Sequence, residues 1–153
     1  MAHWSLVKTP PICERLIGFS VPVAGVSLVV SYEGVHLLHL GEPITVETDV
    51  THREYDLYDP DAGTVEYHGV TYRIIGLHGG TPLSVAPQGD RIEFDPQQET
   101  LAVVTPLGRT LDVRYENFSG DWAAATFSPD GKFLLLGCPY DFDFRVWRRC
   151  DGT

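Results

Sequence analysis

Basic residues are scarce in this chain. Eleven Lys and Arg stand against 21 Asp and Glu, for a formal net charge of −10. A protein that grips a phosphate backbone needs a basic footprint, and docking on anionic lipid needs clustered cations. Nucleic acid and membrane are therefore set aside as partners, while a basic protein partner is permitted. The same charge also serves plain solubility. Cysteine is rarer still. Cys13, Cys138 and Cys150 are odd in number and have no close spacing, which excludes a disulfide framework and a zinc set of the usual spacing. Long hydrophobic runs are missing too. The longest, near Val21–Val30, contains Pro22 and Gly25 and is too short to span a bilayer. The first residues, Met1 to Pro11, lack the charged-then-apolar order of a signal peptide. A cytoplasmic, reducing location is the expectation.

No helical period of useful length runs through the sequence. Instead, 15 Gly and 11 Pro are spread along 153 residues, as in a chain of many turns. The length fits one domain, and such a chain buries roughly 68–70% of its unfolded surface, enough for a core without metal or disulfide. An all-β domain is the expected class.

Thr126 to Arg148 organises the rest. Pro129-Asp130-Gly131 forms a turn, since proline presets φ and glycine permits φ above zero. Phe133 to Leu136 is apolar on both faces. In the strand that ends on Trp147, Phe142, Phe144 and Val146 share one face, and Asp143, Arg145 and Trp147 share the other. Such a strand is expected between two sheets. Phe127-Ser128-Pro129-Asp130-Gly131 and Phe144-Arg145-Val146-Trp147 together resemble one blade of a WD-repeat β-propeller. Arg148 stands where the family usually has Asp, and no Gly-His dipeptide precedes the unit, so two polar residues that commonly lock a blade are replaced. Forty-two residues upstream, Val85-Ala86-Pro87-Gln88-Gly89-Asp90 aligns with 127–132, proline on proline and glycine on glycine. That offset falls within the roughly 40–45 residue period of propeller blades.

The resemblance implies antiparallel, blade-like sheets of a partial β-propeller with an inserted hairpin. The units fall at about 13–50, 81–121 and 122–150, and the insert at 51–80. The first unit reads as strands at Arg15–Val21, Val26–Tyr32, Val35–Leu40 and Ile44–Asp49. The second reads as strands at Leu83–Ala86, Arg91–Phe94, Leu101–Thr105 and Thr110–Tyr115. The third reads as strands near Trp122–Phe127, Lys132–Leu136 and Phe142–Arg148, and it lacks a fourth. Residues 5–9 are a candidate to supply that strand from the other terminus, and Trp4 is expected to dock on the domain. Three units are too few for an ordinary closed propeller. Apolar end faces are therefore expected, to be covered by a homo-oligomeric ring, by a partner or by folding as a sandwich.

Chemistry is thinly marked. His36 and His39, three apart on a strand, point to opposite faces. His52, His68 and His78 lie on or near the insert and could converge, but without zinc spacing. Asp59-x-Asp61-x-Gly63 resembles the start of a calcium loop, yet Val70 occupies the twelfth position where a carboxylate belongs. A solvated turn is the reading, and no metal or cofactor is expected. No G-x-S-x-G elbow is present, Cys138 reads as a small core residue, and Gly79-Gly80 opens no phosphate loop, so no catalytic residue is assigned and the chain is not read as an enzyme.

The insert carries four of the seven tyrosines. Tyrosine joins a broad apolar face to a polar tip, which suits interfaces. The expected contact residues are Tyr55, Asp56, Tyr58, Asp59, Asp61, Tyr67 and Tyr72, with Trp122; Tyr67 and Tyr72 also suit cross-strand packing. The functional expectation is a non-catalytic, intracellular protein–protein interaction module or subunit. Two alternatives stand beside it. One is an oligomeric propeller lectin or small-ligand binder stacking sugars on Trp4, Trp122, Trp147 and the tyrosines. The other is an acidic inhibitor of a basic groove. A hydrolase using Asp, Glu or His at a propeller centre has no motif behind it.

Overall fold

The computed structural model describes residues 3–12, 15–50, 58–116, 122–139 and 144–150. Among these are fourteen β-strands and no helix, hence none long and apolar enough to cross a membrane. In chain order they are β1 (His3–Val7), β2 (Leu16–Ser20), β3 (Val26–Ser31), β4 (Val35–His39), β5 (Thr45–Asp49), β6 (Tyr58–Asp59) and β7 (Thr64–Tyr67). Then come β8 (Val70–Gly76), β9 (Arg91–Asp95), β10 (Thr100–Thr105), β11 (Gly108–Arg114), β12 (Ala124–Phe127), β13 (Phe133–Gly137) and β14 (Arg145–Cys150).

They form three antiparallel sheets. The middle one has the order β1-β14-β13-β12. Its fourth strand comes from the N-terminal segment, as the sequence suggests, with Trp4 opposite Arg149 and Val7 opposite Val146. Pro10 and Pro11 follow β1 and cannot donate to a ladder. The sheet is covered on both faces, which explains its apolar strands. Leu134 and Leu136 point to one side with Phe127, Trp147 and Trp4. Leu135, Val146 and Phe144 point to the other. Trp4 stacks on Phe127 with ring centroids 5.7 Å apart. Residues so placed bring about 1.5–3 kcal/mol each by leaving water.

The first of those faces packs on the three-stranded sheet β11-β10-β9 through Leu101 and Val103. The second packs on the seven-stranded sheet β5-β4-β3-β2-β8-β7-β6 through Phe19, Val29 and Ile75. This large sheet curls into a half-barrel. Its other face closes on itself, so Val35 of β4 and Val65 of β7 share one cluster although three strands lie between them.

The expected hairpin over 64–75 is present, and its outer strand β8 pairs with β2, so it continues the first sheet. The joint depends on glycine. A Cβ on Gly76 would fall 2.5 Å from the Ile17 carbonyl oxygen. Leu83–Ala86, expected as a strand, is instead a bracketed linker between Pro82 and Pro87. The Ser84 carbonyl accepts from Ile92 N on β9, whereas the Leu83 carbonyl accepts from Phe127 N on β12.

Apolar end faces were expected, and both are absent among the described residues. The half-barrel fills its own hollow with Ile17, Leu28, Val30 and Ile74. The outward face of the three-stranded sheet is polar. Its register sets Asp95, Thr100 and Arg114 in one row and Glu93, Ala102 and Asp112 in the next. Alternation along β9, and along β11 from Leu111 to Arg114, turns the apolar residues inward and the charges to water.

The two aligned turns share one geometry. Gly89 N donates to Ala86 O, and Gly131 N donates to Ser128 O, both at 2.9 Å. Both glycines have positive φ, 99° and 73°. The turns also hold each other. Gln88 Nε2 donates to Gly131 O at 3.1 Å and to Asp90 Oδ2 at 3.2 Å, and Arg149 Nε donates to Asp90 Oδ2 at 3.1 Å. Asp90 is buried, and these donors are its hydrogen-bond partners. Removing one partner of a buried pair costs about 3–5 kcal/mol because it strands the other. Arg149→Met is expected to lower unfolding stability by about 3 kcal/mol in urea. A loss under about 0.5 kcal/mol, the size of an ordinary surface substitution, contradicts the lock.

Candidate functional site

Tyr55 and Asp56 lie outside the described residues, as does His52. The structure separates the other candidates into buried and exposed groups. Tyr67 and Tyr72 are buried in the half-barrel hollow. Their parity with Val65 and Ile74 places them there, as period-two alternation requires. Trp122 is buried against the middle sheet. These three pack and do not present a surface. Tyr58 is half-buried, its ring 5.4 Å from that of His78. Asp59 and Asp61 are exposed.

Asp59 uses its carboxylate locally. Its Oδ1 accepts from Asp61 N at 3.1 Å and Ala62 N at 3.2 Å, which closes the turn into β7. That is the work of an aspartate turn former. Among the described residues, no group of three His, Cys, Asp or Glu is placed to hold a metal ion. His36 and His39 do point to opposite faces. The buried His36 ring lies 3.1 Å from Ser31 Oγ and 3.0 Å from Thr48 Oγ1, while His39 Nε2 lies 3.0 Å from Glu47 Oε2. His68 sits edge-on to Tyr67 and His78 sits by Tyr58, so the two rings serve different neighbours. Cys138 is a buried core residue, as its flanks suggest.

Tyr67 reaches from β7 to β5, where its hydroxyl donates to Asp49 Oδ2 at 2.5 Å. Only a curled sheet lets those strands meet. Burial, then the hydrogen bond and charge of Asp49, push its phenol up to about 12.

Two concave surfaces were not anticipated. One is a shallow polar trough of about 550 Å³ on the outer face of the three-stranded sheet, walled by Glu93, Asp95, Arg109 and Asp112. Its charges are partly paired, with Arg109 Nη1 3.9 Å from Asp112 Oδ2. The other is an apolar groove of about 340 Å³ along the free edge of β12. Ile75 and Gly80 wall it on the half-barrel side, Ile92 and Phe94 on the three-stranded side, and Ala123 and Ala125 line its inner edge. The signal for it in the sequence is the run Ala123-Ala124-Ala125 entering a strand, where branched residues are the norm.

Comparison with protein-family models, with curated proteins and with solved structures finds no match. The geometry alone therefore supports any functional reading.

The Tyr67 contact makes a pH prediction. An ordinary tyrosine, with a pKa of 10.0, loses its proton before Tyr67 does in the folded chain. The stability contributed is full below about pH 10 and is lost as pH rises toward 12. Phenolate absorbance is expected to show a late-titrating tyrosine that disappears in Tyr67→Phe. The same late step in the variant contradicts the assignment.

Proposed function

We propose that this chain is a non-catalytic protein-contact module built from stacked, blade-like sheets similar to those of a propeller. Three features support the blade-like part: the matched turns at 86–89 and 128–131, sheet stacking through both faces of the middle sheet, and completion of that sheet by β1. Among the described residues both end faces are self-covered, which supports a stack that does not need a ring of copies.

The observation that carries the contact reading is the apolar groove beside an open strand edge. A recessed backbone edge offers hydrogen bonds that another polypeptide is built to use. The lectin alternative needs exposed aromatic platforms; Trp4, Trp122, Trp147, Tyr67 and Tyr72 are buried, and among the described tyrosines Tyr32 is exposed and Tyr58 half-buried. The acidic-inhibitor alternative retains a specific support in the exposed acids of the half-barrel rim, Glu47, Asp59, Asp61 and Glu66. Such a rim steers a basic partner and sets on-rate more than affinity. The module is intracellular in this reading.

Selection of displayed linear random peptides against the full chain tests the proposal. Enriched peptides are expected to bind in solution with micromolar affinity. Peptides that are all strongly basic and lose binding in 0.5 M salt (about a 4 Å Debye length) favour the acidic rim. No enrichment, together with binding on a glycan array, contradicts the contact reading.

A further inference from the structure

The free edge of β12 has an alternating pattern that fixes where its backbone points. Ser128 N donates to Phe133 O, toward β13, while Phe127 N donates away from it, to Leu83 O. Antiparallel ladders alternate inward and outward residues. Ala125, paired with Leu136, therefore turns its N–H and C=O outward, into the groove. Leu83 already docks on this edge one step further on, with its N–H donating to Thr126 Oγ1 at 3.0 Å. Beyond Leu83 the linker swings to β9, and among the described residues no strand pairs with the edge at 123–125.

We infer that the Ala123–Ala125 edge of β12 takes an extended, uncharged peptide segment of a partner protein as an added strand. This rests on the protein-contact reading and specifies its mode. The incoming strand continues the docking that Leu83 begins, and it becomes a fifth strand of the middle sheet, covered on both faces. Among the described residues no charged side chain lines the groove, so a charged residue entering it meets no partner there for its lost hydration. Alanine on the edge and glycine at positions 76, 79 and 80 leave a narrow slot, so Gly, Ala or Ser fits where the peptide crosses Ala125. The edge is recessed between Ile75 and Gly80 on one wall and Ile92 and Phe94 on the other. A single chain enters such a slot, whereas a second copy cannot bring its own recessed edge into it. At about 3.3 Å per residue, three edge residues contact a comparable length of peptide.

The test uses the full chain and the strongest peptide from a displayed random library. Ala125→Pro deletes the outward N–H and leaves the β13 ladder intact, since proline is tolerated on edge strands. It is expected to weaken peptide binding about tenfold while the melting temperature holds. Amide exchange at Ala125 in the unsubstituted chain provides a second readout that does not depend on the variant folding. It is expected to be fast in the free protein and slowed at least about tenfold by peptide. Placing Lys at the peptide's central position is expected to abolish binding. A peptide that binds without slowing Ala125 exchange and is indifferent to the proline overturns strand addition and leaves the contact reading standing. Failure to enrich any peptide overturns strand addition, and only with binding on a glycan array does it overturn the contact reading as well. Slow Ala125 exchange in the free chain also overturns the inference, and its concentration dependence then separates a second copy from the chain's own cover.

Discussion

Burial of one four-stranded sheet on both of its faces is the constraint on which the rest of this structure depends. Leu134 and Leu136 pack to one side, Leu135 and Val146 to the other, and neither outer sheet contributes to both clusters. Such a sheet cannot tolerate an incomplete edge next to β14. The N-terminal strand supplies the missing ladder and inserts Trp4 beside Phe127 and Trp147. The first and last of the described strands are thereby paired in the middle sheet, and the outer sheets rest on a layer that closes only when residues 3–7 have returned.

The outer layers solve the problem of their own exposed faces differently. The three-stranded sheet does so by alternation, with apolar residues inward and charges outward along β9 and β11. The seven-stranded sheet does so by curvature, so that strands far apart in its order share a core and Tyr67 meets Asp49. Neither device acts on the strand edges, and of these the β12 edge is recessed between both outer sheets. At β12 the linker covers Phe127 and then leaves, and a slot lined by alanine and glycine follows. Natural sheets usually cover or charge such edges. Among the described residues the β12 edge is neither charged nor paired beyond Leu83, which is why the proposed contact is placed there.

Much of the fold was legible because it is written in local chemistry. The Pro-x-Gly turns set their own hydrogen bonds, the doubly apolar run at 133–136 declared a sandwiched strand, and the missing strand pointed to the N-terminus. The four strands of the first unit fall where the apolar runs and the turn signals between them put them. The contact residues were less legible, and for a physical reason. Tyrosine suits both an interface and a hairpin core, and only the curl of the sheet decides which. Tyr67 and Tyr72 share a parity with Val65 and Ile74, which fixes their common face but not whether that face is wet. The pairing of β8 with β2 was hidden because it depends on the close approach at Gly76, and nothing local to that glycine names its partner strand. The groove was hidden for a similar reason, since it belongs to three sheets at once.

The account is tested most directly by comparing urea unfolding of the full chain with that of a chain starting at Thr9, followed by far-UV circular dichroism. If the middle sheet holds the molecule together, loss of β1 with Trp4 removes at least the 3–5 kcal/mol of a core tryptophan deletion, about as much as a marginally stable domain possesses. The whole strand signal is then lost in one transition at a much lower urea concentration, or is absent from the start. An unchanged midpoint and slope would show that the sheets stand without their N-terminal strand and would contradict the account.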